Sequence, residues 1–119
     1  MTAVGEVRAM LMDALRSVPG LTVTPHPHTN VSAPCAWLQD GADLVAVHSL
    51  GQWTVGLDVH IAVAALDRDA AIAASDGLLQ QVVEALPAVC RWGPVGPRSY
   101  ERDADVIRTV IPTTTPWRT

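Results

Sequence analysis

Asp58 and His60 stand two residues apart in the stretch WTVGLDVHIAVAA, a spacing that places both side chains on one face of an extended strand. A carboxylate next to an imidazole is the pairing that orients a general base. No G-x-S-x-G elbow or other nucleophile accompanies it, so the pair reads as a polar feature of a wet or intersubunit face. His26 and His28 repeat the same spacing in PHPHTNVSAP. Two imidazoles on an extended segment could face one metal ion, but without a third ligand they make no site, and both are expected as exposed loop side chains. Cys35 and Cys90 lie far apart and outside any C-x-x-C spacing, which suits buried free thiols. Gly93 and Gly96 sit among prolines and open no helix, so a phosphate-cradling loop fails on context. No catalytic residue, metal or cofactor is therefore assigned, and the chain is read as a non-enzyme.

The remaining residues of interest are suited to contact. Trp37, Trp53, Trp92 and Trp117, with Tyr100 and no phenylalanine, supply the whole aromatic mass. Trp37 and Trp53 are expected to fill the core. Trp117 lies in a proline- and threonine-rich terminal stretch with no periodic element to bury it, which suits an anchor for a partner, since tryptophan is enriched at interface hot spots. His26, His28, Asp58, His60, Arg98, Tyr100, Arg102 and Trp117 are the candidate interface residues.

The elements that must position these residues are legible from periodicity. Odd positions from Trp53 to Ala65 are all apolar, which predicts a strand of thirteen residues with one buried face. At about 3.3 Å per residue it would reach roughly 43 Å, more than the roughly 35 Å diameter of a compact chain this long. The strand must bend, with Gly56 the expected bulge, or project past its own core. Val4 to Val18 carries apolar residues at helical spacing and stops at Pro19-Gly20, a helix-ending pair. Leu21 to Thr24 and Cys35 to Gln39 are expected as strands, the second ending in a turn at Asp40-Gly41. Asp43 to His48 is expected to form a hairpin with the long strand. Asp67 is placed to cap a second helix reaching Leu86, with Ile72, Leu79, Val82, Val83 and Leu86 on its buried stripe. Val106 to Ile111 is a strand, paired with Arg98 to Arg102. This gives a single α+β domain over residues 1–111, with a mainly antiparallel sheet backed on one face by two helices. Residues 112–119 are expected as an extended tail outside the core.

Composition narrows the function classes. The formal net charge is −4, and the eight basic residues are scattered arginines. That lacks the basic footprint of nucleic-acid or anionic-membrane binding. No apolar run approaches the roughly 20 residues a membrane helix needs, and MTAVGEVRAM lacks a signal-peptide pattern. The expected setting is a reducing cytoplasm, or a particle assembled there.

The element order, together with VPGLTV (Val18 to Val23), PCAWLQD (Pro34 to Asp40), TVGLDVHIAVAALDRDAAIAASDGLL (Thr54 to Leu79) and VIRTVIP (Val106 to Pro112), resembles the tail terminator and tail-completion (neck) proteins of long-tailed bacteriophages of actinobacteria. The resemblance implies a structural virion protein at the head-proximal end of the tail. Such a subunit forms a homo-oligomeric ring, commonly a hexamer, that caps the tail tube protein, ends its polymerisation and offers a surface to a head-completion or connector protein. It implies no catalytic residues. Three other readings stay open on the residues alone: another head-tail neck component, a non-phage oligomeric adaptor of similar fold, and a small ligand-binding domain or enzyme using Asp58, His60 and the histidine loop. The last requires a pocket lined by those side chains.

Overall fold

The structure, a computed structural model, describes residues 2–25, 34–49 and 51–118. Helix α1 (Ala3–Arg16) begins where the Thr2 hydroxyl accepts a hydrogen bond from the Gly5 amide at 3.0 Å, satisfying one of the four amides a helix start leaves free. It buries Val7, Leu11 and Leu15, one residue per turn on a single stripe. Gly20, with φ +76°, turns the chain after the helix. Helix α2 (Arg68–Ala85) is capped by the Asp67 carboxylate, which accepts from the Ala70 amide at 3.2 Å. Its buried stripe is Ala71, Ser75, Leu78 and Val82, rotated from the expected one, and Ile72 is exposed. Small residues at 71 and 75 let α2 approach the sheet closely, and Ser75 bonds Thr109 across the contact at 3.2 Å. A stripe chosen by apolarity alone passes over both positions.

The described residues form six strands: β1 (Thr22–Val23), β2 (Cys35–Ser49) and β3 (Gln52–Ala64) before α2, and β4 (Arg91–Trp92), β5 (Ser99–Glu101) and β6 (Val106–Arg118) after it. Their order is β1-β2-β3-β6-β4, with β5 on β6 beside β4. All pairings are antiparallel except β1 with β2, so the α+β fold carries a mixed sheet. Strand β6 pairs with β3 along its whole length, from Val106↔Ala64 to Arg118↔Gln52. Residues 112–118, expected as a tail outside the core, are thus the second half of a principal strand. Thr113 and Thr115 are buried against the helices, and the Thr113 hydroxyl donates to the Leu57 carbonyl at 2.6 Å. Threonine is a good strand former, and Pro112 and Pro116 fall on the opposite face in register with Asp58 and Thr54.

The turn expected at Asp40-Gly41 is a bulge inside one continuous strand. Asp40 pairs with Leu57 and Val45 with Val55, so Gly41, Ala42, Asp43 and Leu44 of β2 stand against the single residue Gly56 of β3. Gly56 was expected to bulge; instead it receives the bulge of its neighbour. A Cβ there would lie 2.4 Å from the Asp43 carbonyl oxygen. The extra residues bend the ribbon while keeping Val45 on the same face as Val55.

Odd positions of β3 face the helices. Val59, Ile61 and Val63 pack with Leu15, Val18, Leu78, Val82, Ile107 and Ile111, and Val55 and Leu57 pack with Val7, Leu11 and Cys90. Fully burying side chains such as Leu57 and Ile111 stabilises by about 1.5–3 kcal/mol each. The opposite face holds a smaller cluster of Cys35, Trp37, Ala62 and Val106, with Ala104 of the 102–105 turn packed on it. The molecule measures 50 × 24 × 22 Å, its length set by the β2–β3–β6 ribbon. Among the described residues no helix is long and apolar enough to cross a membrane.

Candidate functional site

Among the described residues, those the sequence offered for chemistry do not converge. His60 is 6% exposed and stacks on Trp37, with ring centroids 5.4 Å apart and planes at 17°. The stack follows from register, because Trp37 and His60 are direct cross-strand neighbours. Burial, and then the nearby Arg108 guanidinium, hold the imidazole pKa down at about 4, so it is neutral at pH 7. Its Nδ1 and the Trp37 Nε1 have no hydrogen-bond partner. Asp58 pairs with Gln39 and Pro112, and its pKa is raised by burial. No hydrogen bond joins Asp58 to His60 Nδ1, so the orienting contact of a base dyad is missing. His60, expected as an interface residue, is instead an interior packing residue of the smaller cluster. His26 and His28 lie outside the described residues. Cys35 and Cys90 are free, buried thiols, and burial raises the pKa of both.

The 98–102 segment holds its charges in internal pairs. Arg98 pairs with Asp76 of α2, Arg68 lies 4.5 Å over the Tyr100 ring, and the Tyr100 hydroxyl donates to Asp105 at 2.6 Å. That hydrogen bond is the main cause of the raised Tyr100 pKa. Arg108 pairs with Glu101 at 2.6 Å. Arg102 is exposed in the turn between β5 and β6. This segment therefore fastens β5 to α2 and to β6, with Arg102 left at the surface.

Part of what the fold leaves uncovered is apolar. Val47 of β2, Trp53 of β3 and Trp117 of β6 are successive direct partners across the sheet, so they form one row on the face that the helices cover elsewhere. Val47 is 64% and Trp53 38% exposed, and Val45 beside them 42%. Trp53 was expected in the core; it belongs to none of the buried clusters and stays partly exposed. Trp117 continues the row into a depression of about 270 Å³ lined by Val7, Met10, Val89 and Pro116. A second depression, about 370 Å³, lies on the other edge of the sheet between α2 and the chain after β4. Its apolar walls are Leu79, Val83, Trp92 and Val95, and Trp92 is half exposed. Sequence reasoning missed this groove, although Leu79 and Val83 on the predicted apolar stripe, with Trp92 close to the α2 end, were the available signal. Large exposed apolar surfaces mark contact sites.

Neither protein-family models nor curated proteins match this chain.

Proposed function

We propose that this chain is a ring-forming structural subunit of a bacteriophage tail, a tail terminator that caps the tail tube and presents a joining surface to the head. The observation that carries the reading is the long three-stranded ribbon that ends in the apolar row Val47, Trp53 and Trp117, with Val47 and Trp53 exposed and Trp117 half-buried. A protein that works by touching copies of itself and a tube needs such surfaces, and needs no cleft for a substrate. The apolar groove on the opposite edge of the sheet supports the same reading, since ring closure takes two different surfaces on each subunit. The resemblance in element order supports the placement at the head-proximal end of a tail.

The test is assembly in the presence of polymerising tail tube protein. Capped tubes of limited length, with this chain at one end by immunogold labelling, are expected. Tubes of unchanged length with the chain absent from their ends would refute it. Co-purification with a portal or adaptor in place of the tube would shift the assignment to another neck component.

A further inference from the structure

We propose that a second copy of this chain docks head to tail, laying the Val45–Val47 edge of β2 against β4 and pushing Val47 into the groove of the next copy. The proposal deepens the ring reading and rests on it only for closure of the ring.

Both edges of the sheet are open where this contact would form. On one side, β1 pairs with β2 only at Cys35 and Ala36, and among the described residues no strand covers β2 from Trp37 to the tip. On the other side, β4 ends the strand order. Open edges are normally blunted by charge, proline or a bulge. In β2 the aspartates stand at 40 and 43 and the main bulge at 41–44, with a second register shift between Val47 and Ser49, whereas Val45, Ala46 and Val47 between them are paired in register with β3 and carry no charge.

Strand direction and face both match a second copy. β2 is antiparallel to β3, β3 to β6 and β6 to β4, so β2 and β4 point opposite ways. A neighbour carried round an axis running roughly along the strands keeps those directions. Its β2 therefore meets β4 as an antiparallel partner. Trp92 pairs with Thr113, which pairs with Leu57 on the helix side. Val45 and Val47 are on the helix side too, so extending the sheet sets them beside Trp92, facing Leu79 and Val83.

The levels along the strands fix the tilt. Val47 is level with Trp117, and Trp92 with Thr113. Bringing Val47 to Trp92 shifts the neighbour by four residues, roughly 13 Å. Four strands (β2, β3, β6 and β4) at about 4.8 Å give a lateral repeat of roughly 19 Å, hence strands tilted roughly 35° from the ring axis, close to the tilt of sheets closed on themselves. Each surface offers only a few apolar side chains, whereas a standard interface buries roughly 800 Å² per partner. One contact alone is therefore weak, and a closed ring, in which each copy makes two, is the stable form.

The experiment mixes Val47→Cys protein with Gln80→Cys protein and adds a short bismaleimide. Gln80 lines the groove, and native Cys35 and Cys90 are buried. A two-chain adduct in the mixture, with neither variant linking to itself, is expected. Self-linking of Val47→Cys, which reports tip-to-tip pairing, or no adduct in the mixture, overturns the proposal. In parallel, Val47→Glu should melt with the wild type, since the side chain is mostly exposed, yet raise the concentration needed for assembly at least tenfold. Native mass of the wild type separates the two ideas. A closed oligomer without the mixed adduct overturns the docking and leaves the ring, while the mixed adduct without a closed oligomer overturns the ring and leaves the docking.

Discussion

Gly56→Ala isolates the feature that aims the ribbon. The added methyl would stand 2.4 Å from the Asp43 carbonyl oxygen, about 1 Å inside ordinary carbon–oxygen contact. The obstacle is backbone, held in a bulge between two paired segments, so no side-chain rotation relieves it. Overpacking of this kind costs about 1–3 kcal/mol, and a backbone neighbour puts the change near the upper end. A chain of this size should lose roughly 10 °C in melting temperature. The control is Gly77→Ala in the middle of α2, where a Cβ meets nothing within 4 Å. There alanine replaces the weaker helix former and should stabilise by about 1 kcal/mol, raising the melting temperature by roughly 4 °C. Thermal unfolding followed by circular dichroism measures both. A Gly56→Ala protein that melts within about 2 °C of the wild type, or a Gly77→Ala protein that loses more than Gly56→Ala, refutes the reasoning.

Other outcomes follow from single residues. His60 has a folded pKa of about 4 against 6.5 for the free group, so the unfolded chain takes up its proton first. Its contribution is complete above about pH 6.5 and is lost as pH falls towards 4, on the order of 3 kcal/mol in all. Denaturant midpoints across that range measure the slope, and His60→Gln should flatten it. Leu57→Ala, at a fully buried position, should cost about 2–5 kcal/mol in chemical denaturation. Asp67→Ala removes the cap on the Ala70 amide and should cost about 1 kcal/mol by the same measurement.

Elements with a clean period were readable from sequence, and those set by long-range pairing were not. Both helices and the β3 face declared themselves because one residue in two, or one in three or four, is apolar over several turns or a dozen residues. Asp67 announced a helix start by the chemistry of its carboxylate. The bulge at 41–44 was hidden, because Asp40-Gly41 has the composition of a turn and only pairing with Leu57 and Val55 on either side of Gly56 keeps β2 continuous. The second half of β6 was hidden too, since Pro112 and Pro116 argue locally against a strand. Their positions on the face away from the helices are visible only once β3 is alongside. Among the site residues, Trp117 was identified as an exposed anchor and lies half buried at the end of an apolar row. His60 and Trp53 exchanged their expected surroundings. On the far face Trp37 stacks on His60, while Trp53 stays outside the buried clusters. Neither fact is local, so no periodicity encodes it.

The claim on which the functional reading depends is that this chain works by binding its own copies through two different surfaces. Native mass spectrometry across a concentration series, alone and with tube protein added, tests it most directly. A closed oligomer of defined size that falls apart on Val47→Glu substitution is expected. A monomer at every concentration, with and without the tube protein, would contradict it.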